Sequence, residues 1–350
     1  MSTENEATVR DRIQAIFERD DAPFWLFAIA ALVLTVLPFA LDTFWTRIAL
    51  GALLWVGLAQ SWNMIGGYAG YLDFGHGAYF GVGAFVTGIA MTELGVSFVV
   101  GLTIAAAFCA VLAYAVGVPT LRLSGAYFAI ATWAFAEAIK ELALILDITG
   151  GNYGMTFPTG PESTGLPFVG APNETFFYYL MLVLSLGTIA LAYWLFERSE
   201  FGFRVKAIRD HEDAAQSLGI DATQIKRRVY VLSCVIAALF GGANAYYITF
   251  IHPNDVLAPL ITDQMIIMAL LGGLGTIGGP IIGGVMIFLL NRLSSLFLGS
   301  STLYLPLIGL LIMATVLFAP SGVVGILRGE VGRDDVKRNL RELGEKFDIL

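Results

Sequence analysis

Apolar runs of roughly twenty residues, separated by short polar or glycine-rich stretches, recur along the chain from Phe24 to Phe318. Read as helix, a run of that length rises about 30 Å and crosses the hydrocarbon core of a bilayer. The pattern predicts spans at 24–41, 48–65, a third ending near residue 92, 97–118, 126–148, 176–196 and 229–251. Two more meet in a glycine-rich turn beyond Asp263, and a last one covers 304–318. The boundaries divide the chain into an arm at 1–23, a membrane domain at 24–325 and a tail at 326–350. The fold class is therefore all-α, a polytopic transmembrane bundle of about ten spans, and an even number puts both ends on one side.

One long charged island, residues 197–228, interrupts the apolar pattern and reads as helix and turn outside the bilayer. It carries seven Lys or Arg, namely Arg198, Arg204, Lys206, Arg209, Lys226, Arg227 and Arg228, which assigns it to the cytoplasm. Such an island is either a lever that receives a push from a soluble partner or a basic loop that only sets topology. The tail, with Arg328, Arg333, Lys337, Arg338, Arg341 and Lys346, falls on the same side. Its Val336, Leu340, Leu343 and Phe347 form an amphipathic stripe for a membrane surface or a partner. In the arm, Val9, Ile13, Ile16 and Phe17 share one face beside Arg10, Arg12 and Arg19, the pattern of a helix lying on membrane lipid or of a solvated arm. The arm is too charged for the apolar core of a cleaved signal.

Residues 66–85 crowd seven glycines, Gly66, Gly67, Gly70, Gly75, Gly77, Gly81 and Gly83, around Asp73 and His76. That density predicts a broken or re-entrant backbone, tolerated at membrane depth only when protein or a water-filled path covers it. Asp73 and His76 need the same cover, so they line the path or pack on it, unless the segment is a surface loop whose Asp73 caps a helix. A second segment, with Gly272, Gly273, Gly275, Gly278, Gly279, Pro280, Gly283 and Gly284, repeats the pattern. Two interrupted segments, one in each half, point to broken helices framing a solute path, with close helix packing as the alternative. Midway along the 126–148 span stand Glu137, Lys140 and Glu141, spaced so that Lys140 reaches Glu137. They contact a polar solute or a gate, or they form a structural cluster. The stretch 147–175 lacks Lys and Arg, so it lies outside, and its Thr149, Gly150 and Gly151 open a turn chain weighted by Tyr153, Phe157 and Phe168.

Composition narrows the function. With 57% apolar and 14% charged residues and a mean hydropathy of +0.75, the chain has too little polar surface for a soluble globule. Its net charge of -8 offers no footprint for nucleic acid. Cys109 and Cys234 sit inside apolar runs as reduced packing residues. His76, His211 and His252 are far apart, so neither metal-ligand spacing nor a Ser, His and Asp constellation is apparent. No GxxxxGK[ST] phosphate loop occurs, and no cofactor or enzymatic activity is expected. An ion-gradient carrier using Asp73, Glu137 and Glu141, and a membrane scaffold, are the rivals to an externally powered permease.

QSWNMIGGYAGYLDFGHGAYFGVGAF (60–85) resembles the asparagine, double-glycine and glycine-histidine signature of branched-chain amino acid permeases of ATP-binding-cassette importers, the LivM and LivH kind. SGAYFAIATWAFAEAIKEL (124–142), TGGNYGM (149–155), RSEFGFRVKAIRDHEDAAQSLGI (198–220) and GGLGTIGGPIIGG (272–284) agree, and the likeness runs from about residue 47 to 325. The resemblance implies alternating access in a prokaryotic cytoplasmic membrane. It also implies a second related permease, ATP-binding subunits at the cytoplasmic face and an extracytoplasmic solute-binding protein. By that analogy Gly202, Arg204, Ala207, Arg209, Glu212, Ala214, Ala215 and Gly219 belong to the coupling helix that docks on the ATPase. The path or gate takes Asn63, Gly70, Asp73, Gly75 and His76 from the first signature. Glu137, Lys140 and Glu141 come from the second stretch, and Gly272, Gly273, Gly275 and Thr276 from the last. Where the family commonly has Ser, this chain has Asp73, and urea or short amides stay open as solutes beside amino acids.

Overall fold

A computed structural model of the protein describes residues 22–123, 125–160, 162–165, 172–298, 306, 309–310, 313 and 322–327, with side chains from residue 31 onward. The helix expected in the arm, most of the 304–318 span, the tail beyond residue 327, Ser124 and Phe168 lie outside the described residues. The helices are α1 (Ala22–Ala40), α2 (Thr43–Asn63), α3 (His76–Glu93), α4 (Phe98–Thr120), α5 (Ala126–Ile145) and α6 (Glu174–Ala192). The island folds as α7 (Glu200–Asp210) and α8 (Glu212–Ser217). Then come α9 (Ala222–Ile248), a single turn α10 (Pro253–Val256), α11 (Pro259–Gly272), α12 (Gly278–Leu298) and α13 (Gly322–Leu327).

Among the described residues six helices are long and apolar enough to cross a membrane: Thr43–Tyr68, Phe98–Thr120, Glu174–Arg198, Ala222–Ile248, Pro253–Gly272 and Gly278–Leu296. The chain is thus an all-α, multi-pass protein, while α3 and α5 fall outside those six. In α3 the reason is glycine, threonine and His76; in α5 it is the three charges. Several helices start earlier than hydropathy suggests, because a polar cap precedes each. Asp42 accepts from the Trp45 amide at 3.0 Å, Asn173 from Phe176 at 2.9 Å and Asp221 from Gln224 at 2.9 Å. Arg47 therefore sits inside α2, near its start, where it pairs with Glu174 at 2.6 Å. Tyr247 donates to the same carboxylate at 3.2 Å, tying the ends of α2, α6 and α9 together.

Helix α9 forms the centre, with Ala237, Ala238, Phe240 and Ala243 fully buried against α2, α3 and α4. Here the glycine expectation divides. The backbone is irregular only over residues 69–75, after a wider π turn at Met64–Tyr68, and again over 273–277. Gly77, Gly81 and Gly83 belong to regular helix α3, where any Cβ would strike Thr262, Leu257 or Ala238. In a membrane, close packing of small residues substitutes for the hydrophobic drive available in water.

The 147–175 stretch is built of short turns at Asp147–Thr149 and Gly151–Tyr153, then a strand β1 (Met155–Thr156) that pairs antiparallel with β2 (Phe250–Ile251). Phe157 packs inward as expected, but Tyr153 is 92% exposed and adds nothing to the core.

Candidate functional site

The two irregular segments meet. Asn63, fully buried at the end of α2, accepts from the Gly275 amide at 2.9 Å and donates to the Thr276 carbonyl at 3.0 Å. One amide side chain thereby satisfies two backbone groups of the turn between α11 and α12, groups that would otherwise lack partners. Gly67 fits beneath this brace because it has no Cβ; one would collide with Asn63 and the Gly275 amide. Gly275 has φ +66, which an L side chain adopts only with strain. Gly272 and Gly273 complete the turn, and Gly70 lies against the Arg209 side chain.

Asp73 and His76 are sealed rather than open to a path. Both are fully buried, with Asp73 Oδ1 accepting from the Gly75 amide at 2.9 Å and Oδ2 facing His76 Nδ1 at 3.1 Å. His76 Nε2 lies 3.1 Å from the buried Ser61 hydroxyl, which donates to Leu58 O at 2.7 Å. Ser61, His76 and Asp73 therefore do form a constellation, contrary to the expectation from sequence, because the break at 69–75 brings the first residue of α3, His76, against Ser61 of α2. It is closed to substrate in this conformation. Cys234 joins it: the ligand atoms of Asp73, His76 and Cys234 lie within 4.8 Å of one another, a donor set of metal-binding type. Within this set Asp73 and His76 already hold each other by their hydrogen bond.

On α5, Lys140 pairs with Glu137 as the spacing predicts, while Glu141 is exposed. The helix buries little of itself, exposing Tyr127, Ile130, Trp133, Leu142 and Ile145.

The island is bound to the first irregular segment by two matching groups of side chains. Tyr68 donates to Glu197 at 3.0 Å, and Lys206 pairs with the same carboxylate at 2.8 Å. Three residues on, Tyr71 donates to Glu212 at 2.6 Å, and Lys226 pairs with that carboxylate at 2.6 Å. Lys226 is 3% exposed, and its ammonium also donates to the Tyr71 hydroxyl at 2.7 Å and to Leu121 O at 3.3 Å. Arg209 completes the attachment with a long hydrogen bond to Gly67 O at 3.4 Å, beside Gly275. Glu212 thus spends its carboxylate on this chain's own Tyr71 and Lys226, although the resemblance put it in the helix that docks on the ATPase. Tyr68, Tyr71, Glu197 and Lys226 were missed as site residues, since the pairs form across 9 to 155 positions of sequence. The one available signal was two tyrosines spaced three apart in a glycine-rich segment.

Gly202 and Ala215 are also turned inward: a Cβ at Gly202 would strike Phe196 of the same chain. Arg204, Arg209, Ala214 and Gly219 are exposed and Ala207 is half-buried. Beside them stand Phe203, 69% exposed, and Leu218, 83% exposed, two large apolar side chains on an otherwise polar surface.

Burial by itself works to raise the Glu212 carboxyl, but the hydrogen bonds and charge of Lys226 and Tyr71 outweigh it and hold the group below its ordinary value of 4.5. Burial and the neighbouring Glu212 push the Tyr71 hydroxyl up, so it remains a donor at neutral pH. A carboxyl lowered by folding stabilises fully above its unfolded value, and that contribution disappears as pH falls through the folded one. Thermal stability of the purified protein should therefore hold from neutrality to the ordinary glutamate range and drop below it. Glu212→Gln should flatten that acid limb; an unchanged limb would show that the carboxylate has no part in it.

The family described as branched-chain amino acid transport system / permease component matches residues 44–318, most of the chain. The protein belongs to this permease family. The high-affinity branched-chain amino acid transport system permease protein LivM of Escherichia coli (strain K12) is 27% identical over 329 residues, covering 87% of this permease and 76% of that protein. A probable branched-chain amino acid transport permease protein LivM of Methanocaldococcus jannaschii is 28% identical, covering 66% and 76%. The autoinducer 2 import system permease protein LsrC of Yersinia pseudotuberculosis serotype IB is 29% identical over a shorter stretch, 43% of this permease and 42% of its own length. No solved structure matches.

Proposed function

We propose that this permease is one of two related chains that frame a path for branched-chain or related amino acids across a prokaryotic cytoplasmic membrane. Both termini face the cytoplasm, and ten spans result when α1, α3, α5 and the 304–318 segment are added to the six apolar helices. Two separate ATPases drive it from the cytoplasm, and a solute-binding protein delivers solute to the outer turns around Tyr153. The observation that carries this reading is the attachment of α7 and α8 to the glycine break through Tyr68, Tyr71, Lys226 and Arg209. Motion of α7 and α8 reaches the Asn63 brace and the turn at 273–277 through rigid hydrogen-bonded contacts, which is what a lever requires. The coupling residues Arg204, Ala214 and Gly219 face outward on the same island as the apolar anchors Phe203 and Leu218.

Proteoliposomes holding the permease with its ATPases, second permease and binding protein should take up labelled leucine only with ATP inside reach of the ATPases. Uptake under a proton or sodium gradient without ATPase subunits would favour a secondary carrier instead. Replacing Phe203 and Leu218 together with aspartate should release the ATPases while the two permeases stay together, because buried apolar anchors contribute about 2 kcal/mol or more each. ATPase that still copurifies at wild-type yield would remove the anchors from the interface.

A further inference from the structure

Between α5 and α11 lies an open groove of about 320 Å³, lined by Phe74, Ala129, Ile130, Trp133, Pro259 and Asp263. Its size lies at the lower end for small-molecule pockets, about 300–1,000 Å³. Ala129, Ile130 and Trp133 share one face of α5, and Pro259 and Asp263 stand one turn apart on α11. The walls are aliphatic and aromatic; the lone charge is Asp263.

Asp263 has no hydrogen-bonded or ionic partner among the described residues, unlike Glu137, which pairs with Lys140, and Asp73, which holds His76. An unpaired carboxylate in a membrane helix is unfavourable by about 3 kcal/mol and is kept where function requires it. Nine positions of α11 separate it from Gly272, the residue before the turn that meets the island, about 13 Å along the axis. Lipid tails would cover the apolar walls but leave the carboxylate without a counter-charge. An ammonium group answers both features, pairing with the carboxylate and lying against the faces of Phe74 and Trp133.

We propose that Asp263 and this groove bind the ammonium end of the passing solute, with Ile130, Phe74 and Trp133 receiving an apolar side chain. This rests on the importer reading and narrows the solute class to small amines with an aliphatic side chain, excluding urea, amides and anions.

The test uses the complete importer in proteoliposomes, with labelled leucine and labelled urea as probes and ATP hydrolysis stimulated by the binding protein as a second readout. Asp263→Asn should lower leucine uptake about tenfold or more, the loss of one charged contact, while stimulated hydrolysis stays within about twofold of wild type. Asp263→Glu should restore most of the uptake. Ile130→Trp, which fills the groove from an exposed position, should block uptake in a complex that still assembles. Wild-type uptake by Asp263→Asn, equal loss of uptake and hydrolysis, or failure of that variant to assemble would each overturn the assignment. A wild-type complex that imports urea and not leucine would overturn the ammonium site yet leave the importer standing. Failure of wild type to import any solute with ATP would instead overturn the importer reading itself.

Discussion

Lys226→Met should lower the unfolding free energy of the permease by about 3 kcal/mol and uncouple ATP hydrolysis from transport in the assembled importer. Lys226 is almost wholly buried, and its ammonium donates to Glu212, Tyr71 and Leu121 O. Methionine replaces the aliphatic stem but none of those bonds, so Glu212 keeps its charge in a half-buried site with no cation. Removing one member of a buried pair is far more damaging than removing both, since it strands the other charge. Adding Glu212→Gln to Lys226→Met should accordingly recover more than half of the lost stability, because glutamine carries no charge and still accepts from Tyr71. Denaturant unfolding of the purified permease reads the first effect, and the ratio of leucine imported to ATP hydrolysed reads the second. A Lys226→Met protein within about 0.5 kcal/mol of wild type, with an unaltered ratio, would mean that the island is not held through this residue.

Gly67→Ala should destabilise by about 1–3 kcal/mol and reduce transport sharply, although it adds a single methyl group. The new Cβ meets the Asn63 side chain and the Gly275 amide. Asn63 cannot move without releasing Gly275 and Thr276, and the backbone of Gly275 cannot move without disturbing Arg209 alongside. Gly187→Ala supplies the contrast, since nothing lies within 4 Å of a Cβ at that position in α6. There alanine should match or exceed wild-type stability, as expected from helix propensity alone. Equal behaviour of the two variants in thermal unfolding and leucine uptake would deny the Asn63 brace any structural role.

Much of the architecture was open to a reader of the chain because its causes are local. A run of apolar residues must be helical in lipid wherever it lies in the protein, since no water satisfies its backbone groups, so the all-α bundle and the charged island followed from hydropathy and charge. The reach of Lys140 to Glu137 followed from helical geometry in the same way. Resemblance added the permease family, which the match over residues 44–318 bears out. Glycine was ambiguous, because the same residue breaks a helix at 69–75 and permits close packing a few positions later in α3; only the neighbour that approaches distinguishes the two.

The sequence by itself determined a multi-pass helical permease with a polar island, for hydrophobicity and charge act through each residue's own solvent. Tertiary structure alone decided that Ser61, His76 and Asp73 converge in a sealed core, that Tyr71, Glu212 and Lys226 clamp the island, and that Asp263 lines an apolar groove without a partner among the described residues. Those outcomes depend on distances between helices, and a pair formed across 141 positions leaves no period or spacing in the sequence to announce it.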